Sequence, residues 1–181
     1  MTYAKAKSGN TAVLHTVQGV APKVTMKDAS GVSVLTGTTI TITQPGNGES
    51  FTLTVDGNVQ FTSDANATRI SCQRLEGTVT SKGVMQTMNA RENIVLQAAR
   101  VNKDGDKENL HATAPLMDYA LESGQGVTTL KARGGTIPKI SITQIAKAAT
   151  ATPTEPDISE ISAPWIRYNL TTGDFEMRQS G

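Results

Sequence analysis

The eleven residues from Ala114 to Gly124, APLMDYALESG, return 49 positions later as Ala163 to Gly173, APWIRYNLTTG. Ala, Pro, Tyr, Leu and Gly are identical, and Leu116-Met117 is answered by Trp165-Ile166. Self-similarity at a period of this size means that one supersecondary unit is used more than once. Each copy reads as a strand running into a Gly-closed turn. A chain made of such units stacks hairpins, because no single unit can bury its apolar face alone. A weaker third copy begins at Cys72, which aligns with Ala114, and runs to Val79, which aligns with Leu121.

The rest of the chain obeys the same grammar. Val24-Thr25-Met26 and Val32-Ser33-Val34 are strand signals separated by a polar turn from Lys27 to Gly31. Ile40 and Ile42 share one face of the next strand, and Pro45-Gly46-Asn47-Gly48 supplies a tight turn. Phe51, Leu53 and Val55 then alternate with Thr52 and Thr54. Asp56-Gly57-Asn58 interrupts this run as a turn or a bulge, and Val59 and Phe61 resume its parity. Between Val84 and Val101, Met85, Met88, Ile94, Leu96 and Ala98 are the inward candidates. An amphipathic helix around Met88 to Asn93 is the alternative, but Ile94-Val95-Leu96 favours a strand. Lys103 to Lys107 reads as a turn, and Ala146 to Glu155, rich in Ala, Thr and Pro, as a flexible surface insertion spanning 146–156. No 3.6-residue stripe is sustained anywhere. The expectation is an all-β fold: residues 1–20 form a weakly ordered segment or a first strand, and 21–181 form one domain.

Large residues (Phe51, Leu53, Phe61, Leu116, Met117, Trp165, Ile166) and small ones (Gly57, Ala112, Ala114, Ala163) are expected to share the apolar faces. Such a face leaves grooves if two sheets do not interdigitate fully. Pro115 and Pro164 stand at matching places inside strands, where a missing N–H is tolerated only at an edge or a bend. Each is expected to mark a crossing from one sheet to the other. The architecture that follows is an elongated two-sheet stack of the jelly-roll kind, open at its terminal strand edges.

Charge excludes several functions. With 17 basic and 16 acidic residues the net charge is +1, and aromatics are only 4%, so neither a nucleic-acid surface nor a base-stacking platform is indicated. The single cysteine, Cys72, rules out an intramolecular disulfide and lies in phase with an apolar alternation. Met1 to Asn10 carries Lys5 and Lys7 but no apolar run, so no signal peptide or membrane span is read there. His15 and His111 lie far apart without partners at ligand spacing, Asp104-Gly105-Asp106 lacks the Glu of a calcium loop, and Gly134-Gly135 lacks the context of a phosphate cradle. A carboxylate pair such as Glu92 with Asp118 is not brought together by anything in the sequence. No catalytic residue, metal ligand or cofactor is assigned.

Several segments together resemble the OstA-like, or LptA-type, lipopolysaccharide-transport proteins of the periplasm. They are Asp56-Gly57-Asn58-Val59 after an alternating strand, Leu110-His111-Ala112 leading to Asp118-Tyr119, Leu130 with its following Gly134, and Ile161-Ser162-Ala163 leading to Ile166 and Tyr168. The likeness runs from about Val32 to Met177. It implies a periplasmic β-jelly roll that binds the acyl chains of lipopolysaccharide (those of lipid A) in its interior. It also implies strand-edge pairing with like-folded transport proteins, further copies of itself included; that no nucleic-acid partner is expected follows from the charge and aromatic content above. The residues expected to hold lipid are Phe51, Leu53, Val55, Phe61, Leu116, Met117, Trp165, Ile166 and Phe175, through shape and apolarity alone. Tyr119 and Tyr168 pack in the core or stand at the mouth of the groove, with Met85 and Met88 as adaptable lining. The competing expectation is a structural or adhesive β-repeat module with a solid core and no lipid.

Overall fold

Strand-forming alternation runs almost without interruption along the chain, and a computed structural model describes residues 2–6, 9–45, 48–102, 105–145 and 157–179. The expected insertion at 146–156 lies outside the described residues. Fourteen strands follow one another among the described residues: β1 (Thr2–Ala6), β2 (Gly9–His15), β3 (Lys23–Asp28), β4 (Gly31–Thr36), β5 (Thr39–Pro45), β6 (Ser50–Ser63) and β7 (Thr68–Thr80). Then come β8 (Met85–Val101), β9 (Lys107–Glu122), β10 (Gln125–Lys131), β11 (Lys139–Ile145), β12 (Asp157–Ser162), β13 (Trp165–Asn169) and β14 (Phe175–Arg178). A 3-10 turn at Ala65–Ala67 is the one helical element among the described residues. The fold is all-β, as expected.

All pairings are antiparallel, and the four central strands are long enough to serve two arms. The first arm runs in the order β1-β2-β5-β6-β7-β8-β9-β10-β13-β14. The second is built from β3 and β4, the far halves of β6 to β9, and β11 and β12. Thus β6 pairs with β5 through Asp56 and with β4 from Gln60 onward. Likewise β9 pairs with β11 up to Thr113 and with β10 from Leu116.

The bend between the arms is written into the backbone. The β6–β7 register shifts between Asp56 and Val59, and the β8–β9 register shifts between Arg91 and Ile94. A bulge bends its strand and locally suspends pairing. Gly57 (φ 74°), Asn58 (φ 49°), Glu92 (φ 65°) and Asn93 (φ 53°) supply the left-handed conformations that these bulges need. Pro115 falls between the two partners of β9, and Pro164 between β12 and β13, so both mark crossings. Pro22 and Pro138 do the same at the entries to β3 and β11.

Across the first arm, Ile40, Val55, Leu75, Ala90, Met117, Leu130 and Ile166 are register partners in series. Each is 0–1% exposed. Across the second, Leu35, Phe61, Ile70, Leu96, Ala112 and Ile140 form the matching row. The rows meet in one continuous apolar core. At ~1.5–3 kcal/mol for each fully buried large side chain, these ladders are the main force holding the arms together.

Candidate functional site: a cleft at the mouth of the folded sheet

The apolar alternation weakens toward the free ends of the arms, and a cleft opens there. In phase with buried Leu35 comes Ser33, in phase with Phe61 comes Ser63, and in phase with Ile70 comes Thr68. On the first arm, Thr128 and Gly126 follow Leu130 at the same parity. Small or polar side chains at inward positions cannot fill the space between the arms. The result is a half-open cleft of about 250 Å³ opposite the bend.

Its floor is apolar: Phe61, Ile70, Val84, Met85, Met88, Leu121 and Leu170. Its rim is polar, formed by Asp28, Ser30, Ser33, Ser63, Asn66, Thr68 and Thr171. Ser33 Oγ donates to Ser63 Oγ at 2.9 Å, and Thr68 Oγ1 donates to the Ala65 carbonyl at 2.9 Å, so the rim is internally braced. Tyr119 forms one wall, its ring lying where a Cβ on Gly126 would come within 3.0 Å of Cε2. Burial first, and then the neighbouring Asp28 charge, push the Tyr119 phenol above its usual range. Tyr119 of β9 and Asp28 of β3 both line the cleft.

Beside it, an ion pair within the second arm reaches the first through a hydrogen bond. Arg100 on β8 pairs with Glu108 on β9 and donates from Nη1 to the carbonyl of Thr172 at 2.5 Å. Glu108 Oε1 also accepts from Asn102 Nδ2 at 3.1 Å. Only 16% and 12% of the Arg100 and Glu108 side chains are exposed. The guanidinium occupies the space that a side chain at Gly173 would need.

Compared with known protein families, characterised proteins and solved structures, this chain matches none. Its site is therefore read from geometry.

Of the nine residues expected to hold lipid, Phe61 lines the cleft. Leu53, Val55, Met117 and Ile166 point inward as expected but are wholly enclosed in the core, at 0% exposure each. Phe51 packs against that core, half-buried. Leu116 and Trp165 share the outer face: both are register partners of Lys131, whose ammonium pairs with Asp118 on that side. The Arg178 guanidinium stacks over the Trp165 ring at 4.4 Å, a cation–π contact. Phe175 continues the row of Tyr168 onto the last strand, where it is 46% exposed.

Tyr119, Met85 and Met88 line the cleft, whereas Tyr168 is buried in the core and abuts the Arg100–Glu108 pair. The polar half of the site escaped the sequence reading. Its signal was present as serine and threonine at inward parity, next to turns.

The remaining candidates fall elsewhere. Cys72 is buried at the bend, and desolvation raises its thiol to about 11. His15 and His111 are exposed. Among the described residues no group of three or more His, Cys, Asp or Glu side chains comes together. Gly134 and Gly135 form the tip between Arg133 and Thr136, which bridge each other. Gly105 (φ 86°) closes a turn, its N–H donating to Asn102. Asp118, bound by Asn89 and Lys131, serves the outer face. No helix among the described residues is long and apolar enough to cross a membrane.

Proposed function

We propose that this protein is a non-enzymatic lipid-binding scaffold that receives an acyl chain of an amphiphile in its cleft. By the resemblance in its sequence, that amphiphile is lipopolysaccharide and the compartment is the periplasm. The observation that carries the reading is a half-open cleft with an apolar floor and a hydrogen-bonding rim, at the mouth of a sheet folded on itself. An acyl chain gains about 0.8 kcal/mol for each methylene removed from water, and the rim keeps a polar head wetted.

At about 250 Å³ the cleft falls below the ~300–1,000 Å³ of most small-molecule sites, which suits one chain rather than several. Taking up more chains requires the arms to part. Edge pairing with like-folded proteins is supported by β14, whose Phe175 and Met177 are 46% and 52% exposed at the end of the core rows. Such head-to-tail pairing builds chains rather than closed rings.

The second reading is a structural module, and the enclosure of Leu53, Val55, Met117 and Ile166 favours it. Mass spectrometry of the protein purified from lipopolysaccharide-producing cells separates the two. Stoichiometric acylated lipid is expected for the scaffold, and lipid-free protein for the module.

A further inference from the structure

We infer that the cleft selects its ligand by the charge of the head: the group at its mouth carries hydrogen-bond donors and no negative charge. This rests on the reading that the floor holds an acyl chain. Among the described lining residues Asp28 is the only charged one, and neither Lys nor Arg joins it. Asp28 is the last residue of β3, beside the turn into β4, and is half-buried. Its Oδ1 accepts from the Ser30 N–H at 2.7 Å and from Ser30 Oγ at 2.5 Å, which fixes the carboxylate at the rim. The rim's other members, Ser30, Ser33, Ser63, Asn66, Thr68 and Thr171, are neutral and suit hydroxyl or amine groups. A phosphate or carboxylate there would face a like charge in a partly desolvated place with no cation among the lining residues to offset it, an arrangement that costs affinity. Any phosphate borne by the natural ligand then lies outside this mouth, beyond the reach of Asp28.

The test uses three ligands with one tail, each below its micellar concentration: n-decylammonium, n-decyl glucoside and n-decyl phosphate, titrated calorimetrically into the full chain. The phosphate is expected to bind about five- to tenfold more weakly than the other two. Asp28→Asn keeps the Oδ1 acceptor for Ser30 and removes the charge. It should strengthen the phosphate, weaken the ammonium and leave the glucoside within about twofold. Phosphate binding as tight as the others, or an unchanged ammonium-to-phosphate ratio in Asp28→Asn, overturns the inference while leaving the acyl-chain reading in place. Failure of all three ligands to bind overturns both.

Discussion

Met117 and Ile166, aligned by the sequence repeat, flank Leu130 of β10 from opposite sides at the same register, and both are fully buried. The repeat is thus a structural equivalence: β9 and β13 present the same face to the strand between them. Cys72-to-Val79 belongs to the same frame, because Leu75 and Met117 lie level on the two sides of Ala90. Met117→Ala and Ile166→Ala should each lower unfolding free energy by about 2–5 kcal/mol in urea titrations. Leu116→Ala, one position away on the outer face, should cost about 1 kcal/mol or less. Equal losses at 116 and 117 would contradict this register.

The bend makes its own demand. Gly57 has a φ of 74°, and a Cβ there would stand 2.6 Å from Thr38 Oγ1, at the passage from β4 to β5. Gly57→Val combines backbone strain with a steric clash, and about 2–4 kcal/mol of destabilisation is expected by chemical denaturation. Wild-type stability in this variant would mean that the bulge is not where the sheet folds.

Arg100 and Glu108 form a mostly buried pair, and Arg100 Nε has no acceptor among the described residues. Arg100→Ala leaves the carboxylate without its partner and should cost about 2–4 kcal/mol. Replacing both, as Arg100→Met with Glu108→Leu, should recover most of that loss, since desolvation of the ions disappears with them. A double variant as unstable as the sum of the singles would refute the pairing.

Cys72 gives a pH dependence with a defined sign. Its thiol is pushed up to about 11 in the folded protein, above its ordinary 9.0, because burial disfavours the thiolate. Below about pH 9 both states hold the proton and stability is unaffected. As pH rises toward 11 the unfolded chain ionises first, and stability falls. The phenols of Tyr119 and Tyr168, also raised by burial, act in the same direction. Urea midpoints should therefore drop between about pH 9 and pH 11, and Cys72→Ala should flatten the slope. An identical slope in Cys72→Ala would contradict the assignment.

Strand positions were legible because their signal is local. Period-2 runs such as Leu53-Val55 and Leu110-Ala112 name an inward face without any tertiary information, and Pro115 and Pro164 announce the crossings. What local pattern cannot carry is the spacing between arms. Leu53, Val55, Met117 and Ile166 point inward, but whether they line a trough or seal a core depends on the facing arm. Leu116-Met117 and Trp165-Ile166 are consecutive apolar pairs just after the crossings, where parity resets, so neither pair declares its inner member. The cleft rim was hidden for a different reason. Ser33, Ser63 and Thr68 read as ordinary turn-proximal polar residues until the structure puts them opposite Tyr119 and Leu121.

The most direct measurement places a photo-crosslinking benzoylphenylalanine at Tyr119, on the cleft wall, in cells that make lipopolysaccharide, with Met117 in the sealed core as the matched control. The account predicts a lipopolysaccharide adduct at 119 and none at 117. A stable, expressed protein with no adduct at 119 would contradict it.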